Sequence, residues 1–224
     1  MIHFYGCSFT KYNWPTYADI LGEEAVVKNQ GNSGSGNEQI FYHLLSDLRD
    51  GRITEDSTVI CQWSGSNRFQ YLTKNNTWIG DGNIFLPQNK KIYKKIKSFY
   101  NPQYELEKSR NLILATKNIL QNYVKKYLFL SMPKLIEHTY HSTEFDNLKQ
   151  KYVGYYTFTK NCDWYYYPNY VYEDTHPTVL QHLNIAKKIC RYLNISITDD
   201  TIKRCRELED KIITEKNFTT YYLH

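Results

Sequence analysis

The sequence holds no Cys-x-x-Cys pair, and its five cysteines, Cys7, Cys61, Cys162, Cys190 and Cys205, are odd in number and far apart. That pattern disfavours a disulfide framework or a zinc knuckle and fits a reducing compartment. No stretch approaches the roughly 18 apolar residues of a membrane span. No basic segment leads into an apolar run near the start, so no signal peptide is expected and the expected location is cytoplasmic. Neither charge dominates: 28 basic and 23 acidic residues leave a net +5. So mild a balance does not imply a nucleic-acid or membrane partner. Internal repeats and low-complexity linkers are also missing.

What is present is a chain of 224 residues, 41% of them hydrophobic, enough for a sizeable core. A single domain over residues 1–224 is expected. Ile2 to Tyr5, Ala25 to Lys28, Ser57 to Trp63 and Lys126 to Met132 read as short β-rich strands. A fifth strand is expected within "WYYYPNYVY", although Pro168 weakens that reading. Helical spacing predicts helices over Asn37–Asp50, Gln103–Lys125, Thr178–Leu193 and Asp199–Glu215. Such alternation predicts an α/β fold with a mostly parallel five-stranded sheet between helical layers. Residues 68–102 and 137–172 break the alternation and read as insertions over one edge of the sheet.

In a parallel sheet the loops that follow successive strands leave at one edge. Here they are Gly6-Cys7-Ser8, "NQGNSGSGN" (Asn29 to Asn37) and "SGSNRF" (Ser64 to Phe69). If the first strand lies between the second and third, the loops meet at the switch point where open α/β sheets bind ligands. Their contents suit acyl transfer. Ser8 supplies a hydroxyl nucleophile. Its own N–H, a glycine N–H of the second loop and the Asn67 amide supply donors for an oxyanion.

The base comes from "EDTHPT". Pro177 pushes His176 into extended backbone. Residues two apart in an extended segment project to the same side, so Asp174 stands beside His176. This is serine–histidine–aspartate logic in the chain order Ser8, Asp174, His176. Each piece alone has a plainer reading: a serine after a strand as a turn residue, Asp-x-His-Pro as helix capping. Cys7 reads as a small buried residue pointing away from Ser8.

Together "YGCSFT", "NQGNSGSGN", "GSNR" and "DTHP" resemble the four blocks of the SGNH hydrolases, the GDSL-like esterase/lipase superfamily. They are similar to a divergent branch associated with phage and bacterial-surface genes, which makes association with a virion an alternative location. Three departures stand out: Cys7 and Arg68 where the family usually has Asp, and one residue rather than two between Asp174 and His176. The resemblance implies a flavodoxin-like three-layer fold and a serine esterase mechanism without metal or organic cofactor. Carried over, Ser8 is nucleophile, His176 base, Asp174 its orienter, and Gly34 and Asn67 oxyanion donors beside the Ser8 amide.

Other patterns are weaker. "GNSGSGN" lacks the Gly-Lys-Ser/Thr ending of a phosphate loop. His138 and His141 lack the further ligands a metal site requires, so no metal is expected. "KKIYKKIK" reads as an amphipathic surface helix with solvated lysines. Trp63, Arg68, Trp164 and Tyr166 are candidate substrate contacts, the aromatics by stacking against sugar rings. The expectation is therefore a serine ester hydrolase, or an acyltransferase using the same chemistry, acting on a small ester or an O-acetylated glycan. The alternative is a non-catalytic glycan-binding or assembly protein on the same fold, since a fold hosts many functions.

Overall fold

The computed structural model describes residues 1–84, 89–131, 176–215 and 223. Four strands form one sheet: β1 (Ile2–Tyr5), β2 (Val27–Asn29), β3 (Thr58–Trp63) and, after the hairpin described below, β6 (Lys126–Ser131). Their order is β2-β1-β3-β6, every pairing is parallel, and β1 lies between β2 and β3. The second strand starts two residues later than expected, because Glu24 and Ala25 donate to Leu21 O and continue the preceding helix end. The expected fifth strand and the insertion over residues 137–172 lie outside the described residues.

Strand alternation divides the core into two layers. Ile2, Phe4, Ile60, Leu128 and Leu130 face one side. Covering them are α1 (Tyr17–Gly22), α5 (Val179–Leu193) and α6 (Asp199–Glu215). Tyr5, Val59, Cys61, Trp63 and Phe129 face the other side, under α2 (Asn37–Arg49) and α4 (Pro102–Tyr123). The described residues thus form an α/β sandwich of helices on both faces of a parallel sheet.

Local chemistry sets the helix ends. Asn101 Oδ1 accepts from Gln103 N and Tyr104 N at 3.0 and 3.2 Å, ahead of Pro102 in the first turn of α4. Thr178 and Gln181 form a reciprocal capping box at α5. Helix α1, not foreseen from the sequence, begins where the Thr16 amide donates to Asp19 Oδ2 at 2.9 Å.

The stretch 68–102 is not irregular throughout. It holds the antiparallel hairpin of β4 (Arg68–Leu72) and β5 (Trp78–Asn83), then α3 (Lys90–Ile96). The hairpin turns at Thr73–Thr77, with Asn76 in the left-handed region at φ 56°. Helix α3 buries Ile96 and leaves its lysines exposed, as an amphipathic surface helix does. Among the described residues, no helix is long and apolar enough to cross a membrane.

Candidate active site

β1 delivers Gly6-Cys7-Ser8 to the edge of the sheet where parallel strands end. The chain turns there: Thr10 N and Lys11 N both donate to Cys7 O, at 2.9 and 3.2 Å. Gly6 admits no side chain, because a Cβ would overlap Thr10 Oγ1. Thr10 is fixed in turn, its hydroxyl donating to Gln62 Oε1 at 2.7 Å and hydrogen-bonded to the Tyr17 hydroxyl at 2.8 Å. Cys7 is buried.

Hydrogen bonds stitch the three loops together. Asn32 N donates to Gly6 O at 3.0 Å, tying the second loop to the first. Asn37, the first residue of α2, holds the third loop by both ends of its amide. Its Oδ1 accepts from Ser64 N at 2.7 Å, and its Nδ2 donates to Ser64 O and Ser109 Oγ, each at 3.0 Å.

Ser8 Oγ lies 2.8 Å from His176 Nε2 across 168 positions of sequence. Ser8 is only 3% exposed, and His176 is half-buried. Three aromatics from the turn after Ser8 hold the histidine. Tyr12 stacks on its ring, with centroids 3.8 Å apart. Phe9 meets its edge at 5.3 Å. Trp14 Nε1 donates to Pro177 O at 2.8 Å and anchors the adjoining backbone. These three contacts were not anticipated; no local pattern in "SFTKYNW" announces a partner more than 160 residues away.

Behind this pair lies His182 of α5, fully buried and near Tyr17, with ring centroids 5.9 Å apart. Burial, reinforced by the charge of His176, drives the His182 pKa down to about 3, so it remains neutral. Burial also pushes the Tyr17 phenol well above its ordinary range.

Gly34 takes φ +82°, and a Cβ there would lie 2.7 Å from Gly80 O on β5. Both facts require glycine. Asn67 opens β4's approach: its backbone O accepts from Ile84 N at 2.9 Å, and Gly65 leaves room for its side-chain amide. Among the described residues, the Ser8 and Gly34 amides have no hydrogen-bond acceptor. Arg68 begins β4, half-buried.

One expected contact needs correction. Trp63 does not face a substrate: it is fully buried beneath α2 and α4, with its ring edge-on to Phe129 at 5.7 Å. Strand alternation turns the last side chain of β3 inward, where an aromatic fills the core. Asp174, Trp164 and Tyr166, with His138 and His141, lie outside the described residues. Among the described residues, no three His, Cys, Asp or Glu side chains gather as a metal site. No protein-family model matches this chain, and no curated protein matches it either.

Proposed function

We propose that this chain is a serine ester hydrolase that works through an acyl-enzyme on a flavodoxin-like frame with a fifth strand beside the described four. The observation that carries this reading is the 2.8 Å contact between Ser8 Oγ and His176 Nε2. A hydroxyl and an imidazole at that distance have the geometry a nucleophile and its base require. In the proposed reaction His176 Nε2 takes the Ser8 proton as Oγ attacks the ester carbonyl. The charge that develops on the carbonyl oxygen meets the Ser8 and Gly34 amides and the Asn67 side chain. His176 then returns the proton to the leaving alkoxide, and Ser8 is left acylated. Water, deprotonated by His176 in its turn, attacks the acyl group, the carboxylic acid leaves, and His176 returns the proton to Ser8 Oγ. Asp174, two positions earlier in the chain, is the proposed orienting carboxylate.

The proposed substrate class is an ester on a small molecule or a carbohydrate, an O-acetyl group on a glycan being the expected case. The test is labelling of Ser8 by a fluorophosphonate together with hydrolysis of 4-nitrophenyl acetate. Ser8→Ala and His176→Ala are expected to lose hydrolysis by about a thousandfold or more, and Ser8→Ala to lose labelling. Undiminished hydrolysis in Ser8→Ala overturns the reading, and a wild-type protein that neither hydrolyses the ester nor takes the label favours a non-catalytic binding protein.

A further inference from the structure

Among the seven arginines of the chain, Arg68, Arg110 and Arg204 are withdrawn from solvent; the others are exposed. Arg110 pairs with Glu107 at 2.7 Å and Arg204 with Glu23 at 2.9 Å. Among the described residues Arg68 has no carboxylate partner. Partial burial of a guanidinium is costly unless an anion compensates it. Among the described residues nothing supplies that anion to Arg68, which leaves a ligand to supply it.

Its position says which ligand. Arg68 Nη1 is 3.7 Å from where a Cβ on Gly82 would stand, so the guanidinium lies over a glycine of β5 with nothing interposed. The Cβ position of Gly34 is in turn 3.7 Å from Gly82 N and 2.7 Å from Gly80 O. The same strand therefore carries the guanidinium on one glycine and touches the oxyanion-side glycine of the second loop with its neighbour. Gln70, also on β4, fastens this arrangement: its Oε1 accepts from Gly36 N at 2.9 Å. The hairpin thus fixes a positive fork beside the loop that receives the carbonyl oxygen. Such a fork binds carboxylate or phosphate by paired N–H donors.

We propose that Arg68 anchors a negatively charged group on the substrate, and that this protein acts on anionic esters whose charge lies a few bonds from the carbonyl. The proposal rests on the esterase reading and names its substrate class. A charge contact made at the reacting centre's edge raises kcat/KM by positioning the ester.

Two charged esters test it, each against its neutral methyl ester: mono-4-nitrophenyl succinate, charged on the acyl side, and 4-acetoxybenzoate, charged on the alcohol side. For at least one pair, kcat/KM is expected to favour the charged ester by about tenfold or more, and Arg68→Met to abolish that preference while Arg68→Lys keeps part of it. Equal rates within both pairs, or a preference that survives in Arg68→Met, overturn the proposal. A binding measurement separates this outcome from failure of the esterase reading. Monomethyl succinate and 4-acetoxybenzoate are each titrated into Ser8→Ala, with and without Arg68→Met, followed by calorimetry. Affinity that falls about fivefold or more with the arginine removed supports the anchor even if no ester is hydrolysed. No binding, or binding indifferent to Arg68, overturns it.

Discussion

The ring of Tyr12 lies flat on the imidazole of His176, with planes 17° apart and centroids 3.8 Å apart. On the proposed mechanism this aromatic face holds the base in register with Ser8 and attracts the cation that forms when the base takes a proton. Tyr12→Leu is expected to lower kcat for 4-nitrophenyl acetate roughly tenfold with KM little changed, and Tyr12→Phe to restore it. Steady-state kinetics on the two variants, beside their melting temperatures, checks this. An equal loss in both would assign the effect to the hydroxyl instead.

Gly34 meets two constraints at once, a left-handed backbone and the Gly80 carbonyl. Gly34→Ala is expected to cost about 1–3 kcal/mol of stability and to reduce kcat by roughly a hundredfold, by displacing one oxyanion donor. Urea denaturation and kinetics together measure the two losses. A variant with native kcat would remove Gly34 from the oxyanion site.

Asn37 joins the second loop to the third through two buried hydrogen bonds to Ser64 and to α4 through one to Ser109. Asn37→Ala removes the side-chain acceptor of the Ser64 amide, at a cost of about 1–3 kcal/mol. Asn37→Asp keeps the acceptor for Ser64 N but loses both donors. It is expected to fall between wild type and Asn37→Ala in denaturant midpoint. An Asn37→Ala midpoint equal to that of wild type would show that the third loop is held by other means.

His182 predicts a pH dependence. Its folded pKa, about 3, lies below the ordinary histidine value of 6.5, because burial and the charge of His176 both oppose protonation. Protons therefore bind more readily to the unfolded chain as pH falls below 6.5. The stability linked to this histidine is complete above that pH and declines as the solution is acidified towards the folded value. His3 and His43, lowered chiefly by burial, act in the same direction. His182→Leu is expected to flatten the fall in melting temperature between pH 7 and pH 4. Calorimetric scans across that range check it, and an unchanged slope would count against a buried neutral imidazole.

Much of this was legible in the sequence because periodicity reports burial. The run Ser57–Trp63 and the amphipathic stretch Thr178–Leu193 carried strong patterns, and the structure has β3 and α5 there. Helix α1 escaped notice since six residues hold too few turns for a periodic signal. The hairpin β4–β5 was hidden by the polar residues that interrupt β4 and by the two glycines of β5, which has low β-propensity for that reason. Among the candidate site residues, Ser8, Asn67 and His176 stood out because each sits in a short motif with its own chemistry, Gly34 because its loop resembles the second SGNH block, and the structure brings Ser8 and His176 together. Tyr12 and Trp14 could not, because what they do depends on a segment distant in the chain. Trp63 misled for a related reason: an aromatic at a strand end looks the same whether it faces a ligand or the core.

The 168 positions between Ser8 and His176 carry a consequence for biosynthesis. The ribosome makes the serine first and the histidine on the order of ten seconds later, at about 5–20 residues per second. Until then the emerging polypeptide carries an ordinary, unreactive alcohol. The pair closes only after the segment bearing His176 has been made, so on the proposed mechanism a product truncated before that residue holds a serine without its base.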